Sequence, residues 1–230
     1  MERDGSDPIN LTPTQGHGGV SPAWSPDGRS IAFHGFTVIV DIFVMASDGS
    51  DLRNLTNNAA ADRSPVWSPD GNLIAFHSTR AGGDCGSKLF VMNADGSQVR
   101  QLTTSPHCGT APSWSPDGSQ IVFTSTQMGK CPNVFVMNAD GSQVRQLTTS
   151  PDCGYYPSWS PDGSQIVFAQ STAESHTLHI IDVDGTNQRP LVLDGPVFDH
   201  LGSAAWSPIL AITAVFERTW GSVKFDQTQR

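Results

Sequence analysis

The sequence predicts an all-β chain folded as a β-propeller. Three observations lead there. The phrase Trp-Ser-Pro-Asp-Gly occurs four times, beginning at Trp24, Trp67, Trp114 and Trp159, and an altered fifth copy runs Trp206-Ser207-Pro208-Ile209-Leu210. Successive tryptophans are 43, 47, 45 and 47 residues apart. A period in the forties marks an array of small four-stranded sheets. The composition agrees: 22 glycines, 16 prolines and only 15% charged residues among 230 suit short strands joined by tight turns.

One unit can be followed from Ser64 to Thr103. Pro65-Val66-Trp67 is a first strand. Ser68-Pro69-Asp70-Gly71 is a turn, because proline presets φ at its second position and glycine accepts a positive φ. Leu73-Ile74-Ala75-Phe76 is a second strand and Leu89-Phe90-Val91-Met92 a third, closed by the turn Asn93-Ala94-Asp95-Gly96. Val99 to Thr103 is the fourth. The tryptophan reads as a wedge filling the space between neighbouring sheets. The Asp-Gly pairs read as turn chemistry, since they lack the alternating acidic spacing of a calcium loop.

The ends of the chain complete each other. Asp4-Gly5-Ser6 and Asn10-Leu11-Thr12 align at identical spacing with Asp95-Gly96-Ser97 and Gln101-Leu102-Thr103, so the chain starts at the end of a third strand and supplies a fourth. Ala204-Ala205-Trp206, Ile212 to Phe216 and Val223-Lys224-Phe225 read as first, second and third strands without a fourth. The expectation is one domain over 1–230, a five-bladed propeller with four antiparallel strands per blade. Its blades run about 21–56, 64–104, 111–149, 157–193 and 204–228, the last completed by residues 4–12. Pairing the N-terminal strand with the C-terminal blade removes exposed sheet edges.

The run Trp114-Ser115-Pro116-Asp117-Gly118, Ile121-Val122-Phe123, Phe135 to Ser142 and Leu147-Thr148 resembles the propeller repeat of the TolB family, and the likeness extends over essentially the whole chain. The resemblance implies the fold. It is less specific for function, because similar repeats occur in the periplasmic TolB protein, in the substrate-gating propellers of peptidases and in many secreted proteins. Against TolB itself, the expectation is five repeats rather than six, without the N-terminal α/β domain.

Two blades are near copies, which makes their differences informative. Val91 to Pro106 equals Val136 to Pro151, and Pro112 to Phe123 equals Pro157 to Phe168. They differ at His107 against Asp152, at Thr110-Ala111 against Tyr155-Tyr156, and in the loops after Phe123 and Phe168. Because strands alternate in direction, the Pro-Asp-Gly and Asp-Gly turns share one face of the disc. The second-to-third loops and the connectors between blades share the other, and all the variation lies there. Variable loops on a rigid scaffold are where binding sits. His107, Asp152, Tyr155 and Tyr156 are therefore the candidate ligand-binding residues; drift of loop tips accounts for the same variation equally well.

The four cysteines fall on that loop face. Repeat symmetry pairs Cys85 with Cys108 and Cys131 with Cys153, spacings of 23 and 22 residues. No pair has the short Cys-x-x-Cys spacing of a zinc site. Disulfides imply an oxidising compartment, hence an extracytoplasmic location, periplasmic or secreted. Met1-Glu2-Arg3-Asp4 begins a charged N-terminus without the apolar core of a signal peptide.

Seven residues before each tryptophan stand His17, Ala60, His107, Asp152 and Asp199, the last beside His200; His34 and His77 occupy matching places after the second strands. His17, His107, Asp152, Asp199 and His200 form the weaker alternative, a metal site at the channel mouth; the first expectation is no metal and no cofactor. No Gly-x-Ser-x-Gly elbow or phosphate-binding glycine loop is present. A formal charge of −9 disfavours nucleic acid, and no apolar run reaches the length of a membrane span. The sequence thus points to a monomeric, non-enzymatic scaffold for a protein or carbohydrate ligand. Two alternatives stay open: a metal-dependent enzyme, such as a polysaccharide lyase, and a fragment or amplified or designed repeat array without a specific ligand.

Overall fold

The computed structural model describes residues 8–12, 18–36, 38–82, 86–126, 131–149, 153–171 and 176–191. These form four antiparallel sheets of four strands, each sheet ordered as in sequence. The first blade holds β1 (Val20–Trp24), β2 (Ser30–Phe36), β3 (Val40–Ala46) and β4 (Arg53–Asn54). The second holds β5 (Asp62–Trp67), β6 (Leu73–Ser78), β7 (Lys88–Asn93) and β8 (Arg100–Gln101). The third holds β9 (Thr110–Trp114), β10 (Gln120–Ser125), β11 (Asn133–Asn138) and β12 (Arg145–Gln146). The fourth holds β13 (Cys153–Trp159), β14 (Gln165–Ser171), β15 (His176–Asp182) and β16 (Arg189–Pro190). The fifth repeat, expected at 204–228, lies outside the described residues, as do residues 4–7 of its expected fourth strand.

The first strand is longer than the tripeptide read from the sequence. It runs through the proline by means of a β-bulge, which lies between Arg63 and Val66 in β5 and at matching places in the other three blades. The bulge puts Ser21, Ser64, Ala111 and Tyr156 at φ of 51°, 52°, 49° and 51°, each just before a proline. The fourth strand is shorter than Val99 to Thr103. Its Leu-Thr ending turns away from the ladder: Leu102 N–H donates to the Leu89 carbonyl, and the Thr103 hydroxyl accepts the Leu89 N–H at 2.9 Å.

The core lies between blades. Trp67 packs with Ala32 and Ile42 of the first blade, Trp114 with Leu89 and Val91 of the second, and Trp159 with Val134 and Val136 of the third. Each tryptophan thus wedges against the preceding blade, so burial depends on that blade. Trp114 is 8% and Trp159 6% exposed, Trp67 is half-buried, and Trp24 is 58% exposed. Trp24 departs from the expected wedge because no complete blade precedes it among the described residues.

The terminal leucine of each blade reaches the next. A Cβ on Gly96 would stand 3.0 Å from the Leu55 carbonyl, one on Gly141 2.7 Å from that of Leu102, and one on Gly185 3.6 Å from that of Leu147. Leu11 lies against Gly49 in the same way, at 3.2 Å. Its neighbours repeat a blade ending too: Thr12 N–H donates to Asn10 Oδ1 at 2.9 Å, as Thr56 N–H does to Asn54 Oδ1 at 3.0 Å. The segment Asn10-Leu11-Thr12 therefore sits on the first blade as a fourth-strand ending sits on the blade that follows it.

Candidate functional site

The two faces of the disc differ in construction. On one, Ser115 Oγ donates to Asp117 Oδ1 at 2.6 Å and accepts the Gln120 N–H at 2.9 Å; Ser25, Ser68 and Ser160 do the same with Asp27, Asp70 and Asp162. The hydroxyl bonds, with the backbone N–H groups of Ser119 and Ser164, hold the Asp117 and Asp162 carboxyls down at about 2. The Ser and Asp side chains of every Trp-Ser-Pro-Asp-Gly copy thus bond within their own turn, which makes the phrase scaffold.

The opposite face carries the candidates. The Cys131–Cys153 disulfide ties the β10–β11 loop to the first residue of β13, with Cα atoms 4.9 Å apart, and so spans the third and fourth blades. Cys108, just before β9, is also disulfide-bonded; Cys85, its expected partner, lies outside the described residues. Two residues after Cys153, the rings of Tyr155 and Tyr156 stand 6.2 Å apart. Tyr155 packs against Val167, Ala169, Leu178 and Ile180, whereas Tyr156 is 39% exposed. The Tyr156 N–H donates to Thr124 Oγ1 of the third blade at 3.2 Å. A bulky side chain at φ 51° is unfavourable, and three blades fill this place with Ser21, Ser64 and Ala111.

His107 lies one connector away. Its ring meets Phe135 edge-on at 5.3 Å, its carbonyl accepts from Lys88 Nζ at 2.9 Å, and its Nδ1 is buried without a hydrogen-bond partner. Burial, then the Lys88 charge, lowers its pKa from 6.5. His17, Asp152, Asp199 and His200 lie outside the described residues. Among the described residues no three histidine, cysteine or acidic side chains form a metal-binding group.

The profile of the TolB beta propeller domain matches residues 9–210. The chain belongs to the TolB β-propeller domain family. TolB from Acinetobacter baumannii superposes with a TM-score of 0.64 at 24% identity, over 77% of this chain and 44% of that one. A putative TolB from Agrobacterium tumefaciens gives 0.66 at 26% identity, over 74% and 63%. An oligogalacturonate lyase in complex with manganese gives 0.60 at 18% identity, over 81% and 57%, a likeness of fold alone. The chain therefore spans less than two thirds of the length of these proteins. Comparison with curated protein sequences finds no match.

Within this TolB-type propeller the second blade holds a cluster that the sequence reading missed. Asp62 stands five residues before Trp67, where the three other described blades carry Gly19, Gly109 and Gly154. It is fully buried, and its Oδ2 accepts from Arg80 Nη2 at 2.6 Å and Asn58 Nδ2 at 2.7 Å. The Arg80 guanidinium lies over Phe76 and Phe90 at 5.4 and 5.1 Å. It is the only ion pair among the described residues. The signal was legible: one acidic residue at a position that is glycine in three repeats. Beside it, Arg63 pairs with His77 across the ladder, and the Ser64 N–H points at His34 Nδ1 from 3.4 Å.

Proposed function

We propose that the chain closes into a five-bladed ring and serves as a non-enzymatic scaffold, binding a protein or carbohydrate ligand through its loop face in an oxidising, extracytoplasmic compartment. Tyr156 carries the reading. A tyrosine that stays 39% exposed occupies a left-handed position that small residues fill elsewhere, at a conformational cost. Tyrosine offers a large apolar ring with a polar tip, suited to a peptide or sugar surface. The Cys131–Cys153 bridge holds the strand bearing it against the neighbouring loop, and such bridges persist in oxidising compartments.

Ring closure is supported by Leu11 on Gly49 and by exposed Trp24, which leaves an apolar edge suited to the repeat beginning at Trp206. The test of binding is a screen of the oxidised chain against peptide and oligosaccharide arrays, in parallel with Y155A/Y156A. Ligand signals that vanish in the double variant support the reading. Signals unchanged in that variant, or no signal from the wild-type chain, contradict it.

A further inference from the structure

We propose that Arg63 anchors a binding site for a carboxylate group on the loop face, at the junction of the first and second blades, with His34 and His77 as its polar neighbours. Arg63 is half-buried on the innermost strand of its blade, directly opposite His77 in the β5–β6 ladder. The residue after it places its N–H 3.4 Å from His34 Nδ1 of the first blade. The other described arginines divide cleanly. Arg80 pairs with Asp62, and Arg100 and Arg145 donate to turn carbonyls of the following blade. Arg29, Arg53 and Arg189 are exposed. Among the described residues, Arg63 alone is a half-buried arginine with no hydrogen bond or ion pair.

The surroundings select the ligand. Burial, and then the Arg63 charge, hold both histidines at about 4, so they are neutral at neutral pH; His34 adds to the effect on His77. A metal cation at these two histidines would face the guanidinium, which excludes the metal reading for this pair. The nearest carboxylate in sequence, Asp62, is already occupied by Arg80. The guanidinium therefore keeps its planar fork of donors, which matches a carboxylate bidentately. His77 Nδ1, buried and without a partner, is a further polar atom beside it. A single negative charge suits one arginine in a chain of net charge −9 better than a doubly charged phosphate does.

The site deepens the proposed binding role of this face and rests on it, but its readout is separate. A failed array screen leaves acetate binding at Arg63 testable, and a failed acetate titration leaves the tyrosine pair standing. The experiment follows the arginine Nε–H signals of the 230-residue chain by NMR during titration with sodium acetate, against sodium chloride at equal ionic strength, and separately with inorganic phosphate. One saturable shift, absent in R63Q and weakened about tenfold in R63K, with phosphate binding more weakly, is the expected result. A non-saturable shift, an affinity unchanged in R63K, or tighter binding of phosphate overturns the proposal. Circular dichroism establishes that R63Q is folded; should it not fold, R63K decides the question alone.

Discussion

The indole N–H of Trp67 donates to the Ala23 carbonyl at 3.2 Å, joining the innermost strands of two blades. Trp114 and Trp159 are more deeply buried, yet their indole N–H groups have no partner. Their contribution is therefore packing, whereas Trp67 adds a directional bond. W114A is expected to lower unfolding free energy by about 3–5 kcal/mol. W67F, which keeps most of the ring and loses the bond, is expected to cost about 1 kcal/mol. Urea unfolding monitored by circular dichroism measures both, and equal losses would contradict the distinction.

Stability is expected to fall in mild acid because of His34 and His77. An unfolded histidine titrates near 6.5, and burial, followed by the Arg63 charge, holds both folded rings at about 4. Between these values the unfolded chain binds more protons. The contribution is complete above about pH 6.5 and is lost as pH falls through 4. Asp117 and Asp162 act lower, their contribution fading as pH drops from 3.8 toward about 2. A pH series of thermal melts should show the first decline in the wild-type chain and a flatter profile in H34Q/H77Q. Parallel profiles would contradict the assignment.

The Cys131–Cys153 bridge closes a loop of 22 residues between adjacent blades. By the chain-entropy model its removal costs about 3 kcal/mol. C131S/C153S should therefore unfold at lower urea concentration, and the mobility of β13 should rise in hydrogen exchange. An unchanged midpoint would remove the bridge from the stability account.

Ring closure predicts a dependence on the first residues. Deleting Met1–Thr12 removes Leu11 from the Gly49 turn and from the cluster of Ile31, Phe33, Phe43 and Met45. The truncated chain is expected to melt well below the intact one, and L11A to fall between them. A truncation that leaves thermal unfolding unchanged would contradict the five-bladed closure.

The repeat phrase made most of the fold legible, because turn chemistry at Pro69-Asp70-Gly71 and the apolar runs around Phe76 and Phe90 are local properties. The Cys131–Cys153 pairing was readable from repeat symmetry. What was not readable depends on neighbours. The bulge at Tyr156 turns on a proline inside a strand, the short fourth strand turns on Thr103 accepting a backbone N–H, and Trp24 differs from Trp114 only in what precedes its blade. At the candidate site, the tyrosine pair was marked by its difference from Thr110-Ala111. Arg63 was hidden, since the solitude of a charge is a property of the folded arrangement.

The most direct measurement compares the two faces. A ligand selected on the arrays is titrated calorimetrically against the wild-type chain, Y155A/Y156A, and D117A/D162A on the turn face. The account predicts that the tyrosine variant stays folded and loses binding, with a lower melting temperature because Tyr155 leaves its packing against Val167 and Leu178, and that the aspartate variant loses stability while retaining affinity. Binding that survives in the tyrosine variant and disappears in a folded aspartate variant would place recognition on the wrong face and contradict the account.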